Sequence, residues 1–81
     1  DDRNTNIETI ASYLNSMPPK TAVEELLSHD DQDIIDILRK ADEMAAANKQ
    51  TSLSSVWLMN MPAERAATIQ RKMANKPESL D

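Results

Sequence analysis

The residues able to do chemistry are few. His29 is the sole histidine, it sits between Ser28 and Asp30, and the chain has no cysteine. Ser28-His29-Asp30 holds the three side-chain types of a nucleophilic triad. Neighbours in a chain do not reach triad geometry, where the imidazole must bridge a nucleophile and a carboxylate brought from separate places. The tripeptide reads better as a turn running into a helix cap. With one imidazole, no thiol and no glycine to line a pocket, acid–base and nucleophilic catalysis have almost no support. The reading is therefore non-enzymatic. A second constellation is the acidic run Asp30, Asp31, Asp33 and Asp36. Clustered carboxylates can hold Ca²⁺ directly or Mg²⁺ through its water shell. This run lacks the glycine and terminal glutamate of a helix-loop-helix calcium site. Acids at a helix start are also favoured by the helix dipole, so helix initiation is its simplest role. No metal ligand and no cofactor is assigned.

The third constellation is apolar. Leu53, Val56, Trp57, Leu58, Met59 and Met61 fall close together in the segment from Thr51 to Met73. A helix apolar on nearly every side has no solvent face, so it is expected inside the fold, with the other helices wrapped around it. A single Trp in a small domain normally anchors the core, and Trp57 and Leu58 are read that way. The run holds more apolar surface than one small core covers. Leu53, Met59 and Met61, with Arg65 beyond the corner, are therefore the candidate partner-binding residues, since Met and Arg are enriched at protein interfaces.

The elements that position these residues can be read from periodicity and punctuation. Ile7, Ile10, Ala11 and Leu14 form one helical stripe, capped by Asn4, Thr5 or Asn6 and ended by Met17-Pro18-Pro19. Pro19 opens a short second helix with Ala22, Val23, Leu26 and Leu27 inward. Ser28, Asp30 or Asp31 caps the third and longest helix. Its stripe is Ile34, Ile37, Leu38, Ala41, Met44 and Ala45, and Ile35 lies off that stripe, which predicts neighbours on two sides. Asn48 is the expected left-handed stop, and Thr51 or Ser52 caps the fourth helix. Pro62 opens the fifth, whose inner face is read as Ala63, Ala66, Ala67, Gln70 and Met73 with Ile69 beside it.

Composition agrees with helices. The chain has 81 residues, enough for one small domain, with 40% apolar residues and two aromatics, Tyr13 and Trp57. A core of Leu, Ile, Met and Ala suits helices better than strands. The net charge of −5 supplies no basic stripe, so nucleic acid is not an expected partner. No apolar run approaches the ~20 residues of a membrane span.

The two proline corners match. Tyr13-Leu14, Met17-Pro18 and Ala22 align with Trp57-Leu58, Met61-Pro62 and Ala66, every pair offset by 44 residues. The reading is a repeated helix-corner-helix unit that buries its faces against its neighbours. The fold class is all-α: about five short helices in a right-handed superhelical array with two helix-Pro-helix repeats. Residues 1–6 read as a frayed segment, 7–75 as one helical domain and 76–81 as a flexible tail.

Two segments carry a resemblance: YLNSMPPKTAVEELLSHDDQDIIDILRKAD and SVWLMNMPAERAATIQRKM. They resemble the N-terminal superhelical domain of MgtE-type magnesium transporters, with its L-x-x-M-x-P-x-x-A units. Leu14, Met17, Pro19 and Ala22 fit that unit, whereas Pro62 directly follows Met61, one place early. Within the superfamily the closer likeness is to the MgtE-like C-terminal domain of periplasmic flagellar proteins, the MotE-like stator chaperones and FlbB-type spirochaete proteins. Met61-Pro62, Arg65-Ala66-Ala67 and Ile69 to Met73 carry that likeness. The resemblance implies a periplasmic scaffolding domain of the bacterial flagellar motor, helping to assemble its collar or stator. Its partners would be motor proteins, with a homodimer in the full-length protein and membrane tethering through a region absent from this chain. The transporter likeness implies the alternative, a Mg²⁺-sensing regulatory module.

Overall fold

The computed structural model describes residues 1–75, and the tail expected at 76–81 lies outside them. Five helices follow one another: α1 (Asp2–Asn15), α2 (Pro19–Leu26), α3 (Asp31–Ala47), α4 (Ser54–Met59) and α5 (Ala63–Asn75). No strand occurs among the described residues.

The first helix starts earlier than its sequence suggests. The segment expected to fray is a helical turn, because the Asp1 carboxylate accepts the Asn4 N–H at 2.7 Å. Arg3 then reaches across to α3, where its guanidinium meets Asp33 at 3.1 Å and Asp36 at 2.6 Å. A side-chain cap and an interhelical tie both oppose fraying. The cap is Asp1, not Asn4, Thr5 or Asn6.

The organising helix is α3. It packs against α1, α4 and α5, while α2 packs on α1 and α4. Ile34, Ile35, Ile37, Leu38 and Ala41 are all buried, so the off-stripe Ile35 has the neighbours that its position predicted. This corrects the expectation that the chain wraps around the apolar segment after Thr51. α4 has only six residues, and Trp57 alone of them is buried. Leu53, Val56 and Leu58 are half-buried and Met59 is exposed. A helix of fewer than two turns presses one face onto its neighbours and leaves the other in solvent.

The third helix ends differently from expectation too. Asn48 keeps a negative φ of −100° and donates from its side chain to the Met44 carbonyl at 2.9 Å. The left-handed residue is Lys49, at φ 56°. Around it Lys49 N–H donates to Ala46 O at 3.1 Å and Gln50 N–H to Ala45 O at 2.8 Å. That pair of bonds is the Schellman arrangement, which satisfies the last carbonyls of the helix. A chain without glycine places a lysine where glycine is usual.

The 44-residue repeat is real in the backbone. The two helix-ending residues, Ser16 and Asn60, have φ/ψ of −94°/2° and −94°/−1°. Ser16 N–H donates to Tyr13 O at 3.1 Å, as Asn60 N–H does to Trp57 O at 3.1 Å. Met17 and Met61 donate to Leu14 O and Leu58 O, both at 3.2 Å. Ala22 and Ala66 donate to Pro18 O and Pro62 O, both at 3.0 Å. Even the side chains return alike, Ser16 Oγ to Ser12 O at 3.4 Å and Asn60 Nδ2 to Val56 O at 2.8 Å. Pro62 is thus the counterpart of Pro18, and Pro19 is an extra proline in the first turn of α2. The side chains use this shared backbone differently: Trp57 is 0% exposed and Tyr13 is 62% exposed.

Lys49→Gly tests the helix stop. A left-handed non-glycine residue costs roughly 1–2 kcal/mol, part of which glycine returns through its looser unfolded chain. The variant is expected to gain roughly 0.5–1 kcal/mol in urea unfolding. An unchanged or lower midpoint would show that Lys49 is not strained.

Candidate protein-binding surface

The four candidate residues lie on or beside the α4–α5 corner, and the structure separates them. Met59 ends α4 and is 76% exposed. Met61 does the opposite. The corner turns its side chain inward, and it joins the buried core at 6% exposure. The partner-binding reading of Met61 is therefore corrected: alternation across the corner sends Met59 out and Met61 in. Leu53 precedes α4 and packs half-buried against the core. It also borders a cavity of about 290 Å³ with Met44 and Ala45 from the end of α3 and Asn48 and Gln50 just beyond it. The Ser52 hydroxyl accepts the Ser54 N–H at 3.1 Å, and Ser54 Oγ donates to Asp42 at 2.6 Å. Those bonds fix the entry of α4 against α3.

Arg65 is committed inside the molecule. Its Nε meets Asp31 at 2.7 Å and its Nη2 donates to the His29 carbonyl at 2.8 Å. Lys72 takes the second Asp31 oxygen at 2.9 Å. One carboxylate at the start of α3 thus clamps α5 at two places seven residues apart. This spacing sets the inner face of α5. Ile69 is buried, with Ala66 and Met73 packed beside it, whereas Ala63 and Gln70 of the expected face are exposed. Arg65 stays partly exposed while its guanidinium holds the α2–α3 turn.

The acidic run is committed in the same manner. Asp30 caps α3 by accepting the Asp33 N–H at 2.9 Å. Asp31 holds Arg65 and Lys72, and Asp33 and Asp36 hold Arg3. No group of three or more acidic or imidazole side chains is arranged to hold a metal among the described residues. Lys72, and then Arg65, hold the Asp31 carboxyl below the usual carboxylate range by hydrogen bonding to its charged form. In Ser28-His29-Asp30, the His29 carbonyl serves Arg65, its N–H donates to Leu26 O at 2.9 Å, and Asp30 serves as the cap.

Sequence reading missed two surface features. Among the described residues, Tyr13 is the other large exposed apolar side chain beside Met59. A signal was present, since the stripe Ile7, Ile10, Ala11 and Leu14 leaves position 13 on the outer side. The other is a groove of about 380 Å³ between α1 and α3, floored by Ile7, Ile10 and Ile37 and edged by Arg3, His29 and Asp33. The structure also shows that the Trp57 indole N–H is buried without a partner among the described residues, a burden of about 1–3 kcal/mol.

Asp31→Asn is expected to lower the melting temperature at neutral pH. The folded pKa lies below the unfolded value of about 3.9, so the stabilisation is complete above that value and fades as pH falls through the folded one. The gap between wild type and variant should therefore narrow in melts below about pH 4. An equal gap at acid and neutral pH would show that the charge on Asp31 is not what holds α5.

Comparisons with protein-family models, with curated proteins and with solved structures find no match.

Proposed function

We propose that this chain is a protein–protein interaction module: a small helical scaffold that offers a preformed surface centred on Met59. The single observation behind this reading is the uneven use of methionine. Of five methionines, Met61 is buried, and Met17, Met44 and Met73 are packed against the core. Met59 alone stands out in solvent, at the end of a helix tethered to α3. An unbranched, polarizable thioether on a rigid support adapts well to a partner's apolar surface. The side chains that sequence offered for chemistry have structural employment instead: Asp31 with Arg65 and Lys72, Asp33 and Asp36 with Arg3.

The resemblance to MotE-like and FlbB-type domains supplies the setting of this proposal. The module belongs to the periplasmic surroundings of a bacterial flagellar motor and helps to assemble the collar or stator. It docks on other motor proteins, and its membrane tether lies outside this chain. The Mg²⁺-sensing alternative has no comparable observation in its favour, since each carboxylate of the acidic run already serves a cap or a cation.

Met59→Asp is the clean probe of this surface, because an exposed side chain can change without disturbing the core. The variant should keep its helical circular dichroism and melting temperature. It should lose affinity for a flagellar motor partner by at least about tenfold, the loss of one interface anchor. Arg65→Glu serves as the contrast, since it should lower the melting temperature itself by breaking the contacts with Asp31 and His29. Motor-protein capture by Met59→Asp at wild-type strength would remove the proposal.

A further inference from the structure

We propose that the chain associates with itself head to tail, with α5 of one copy laid on α1 of the next around Tyr13, as α2 lies on α4 within one chain. This rests on the repeat and is independent of the partner assigned to Met59. The offset of 44 residues makes α4 the counterpart of the end of α1, and α5 the counterpart of α2. The matched bonds at Ser16/Asn60, Met17/Met61 and Ala22/Ala66 show that the two corners share one backbone course. Their aromatic residues should then meet equivalent surroundings, and they do not. Trp57 is 0% exposed, on a helix packed by α2, α3 and α5. Tyr13 is 62% exposed, on a helix packed by α2 and α3.

The repeat states what is missing. Because α5 packs on α4 as α2 packs on α1, the additional cover over α4 comes from the helices of the preceding unit, and α2 is one of them. The equivalent cover over Tyr13 is a helix of α2 type. The chain carries such a helix in α5. Its outward side also fits the role. Leu26 of α2 is buried, whereas its counterpart on α5, Gln70, is exposed and has no second unit above it in this structure.

Charge agrees with this pairing. α1 and its cap carry Asp1, Asp2 and Glu8 against Arg3, whose guanidinium is already paired with Asp33 and Asp36. α5 carries Arg65, Arg71 and Lys72 against Glu64. Arg65 and Lys72 are already paired with Asp31, and the exposed Arg71 donates at 3.2 Å to the hydroxyl of Thr68. Arg71 is thus the cation that α5 has left to offer the acidic α1 of the next copy. A contact between two different faces repeats from copy to copy, so it extends a row instead of closing a symmetric pair. Thr9 replaces Leu53 beside the aromatic position, which keeps the contact small and reversible.

The test is sedimentation equilibrium of the whole chain at rising concentration, up to about 1 mM, together with two variants. Wild type should gain mass continuously with concentration. Tyr13→Asp blocks the α1 face and Gln70→Glu sets an acid on α5 against the acidic α1. Each variant alone should remain a monomer with unchanged circular dichroism. Mixed, they retain one intact face each and should form a one-to-one pair. A wild type that stays monomeric at about 1 mM would overturn the proposal. So would a Tyr13→Asp variant that still associates, a mixture that stays monomeric, or a Gln70→Glu variant that still pairs with itself, which would point to a symmetric α1–α1 contact. Loss of binding to a different protein in Tyr13→Asp, with no change in mass, would assign the face to that protein and overturn self-stacking.

Discussion

Ile34, Ile35, Ile37 and Leu38 give α3 a buried arc wider than any one neighbour can cover. Two adjacent pairs of apolar residues spread over roughly 160° of the helix circumference at about 100° per residue. All four are at most 1% exposed. The chain meets this demand by bringing α1 to α3 from before it and α4 and α5 from after it. The first two turns of α3, where the apolar arc begins, carry Asp31, Asp33 and Asp36. The carboxylates receive cations from α1 and α5, so apolar contact and ion pairing fix the same two neighbours. The ion pairs are partly exposed, and such pairs add less than the burial beside them. Their role is to choose the rotation of α5, which a smooth apolar surface alone would leave loose.

Much of the architecture was legible because punctuation and periodicity agree. The prolines at 18, 19 and 62, the acids from Asp30 onward and the stripes of α1, α2 and α3 each point to one answer. What escaped was decided by tertiary contact. Beyond the Asp1 cap, the start of α1 is tied down by Arg3 meeting acids thirty and more residues away, and no local signal reports that tie. The face of α5 depends on Arg65 and Lys72 reaching Asp31, so Ala63 and Gln70 of the expected stripe lie in solvent while Ala66, Ile69 and Met73 pack inward. The apolar run of α4 overstated its burial because hydrophobic content says nothing of length, and α4 is too short to be enclosed. Lys49 in the left-handed position could not be read from residue type, since asparagine one place earlier is the better prior.

The candidate surface divided along the same line. Met59 and Met61 look equivalent in the sequence, and only the geometry of a corner tells them apart. Arg65 serves as a strut inside the molecule, which its sequence position does not announce. The two aromatic residues show the reverse case: the repeat makes them equivalent, and the stripe of α1 makes them different. A repeated backbone can therefore be read from sequence while the packing laid over it cannot. The backbone follows from proline and a few local bonds, whereas packing follows from which units lie on either side.

Trp57 has a practical consequence. It is the one tryptophan of the chain, enclosed by the core, and its indole N–H finds no acceptor among the described residues. An excited indole in such surroundings has neither water dipoles nor a hydrogen bond to relax toward. Its light should leave at short wavelength while the helices are assembled and shift to the red when they part. Tyr13, out in solvent, contributes a separate ultraviolet signature. The protein thus carries a built-in optical gauge of its own assembly, readable without labels and seated where α2, α3 and α5 meet the helix that bears it.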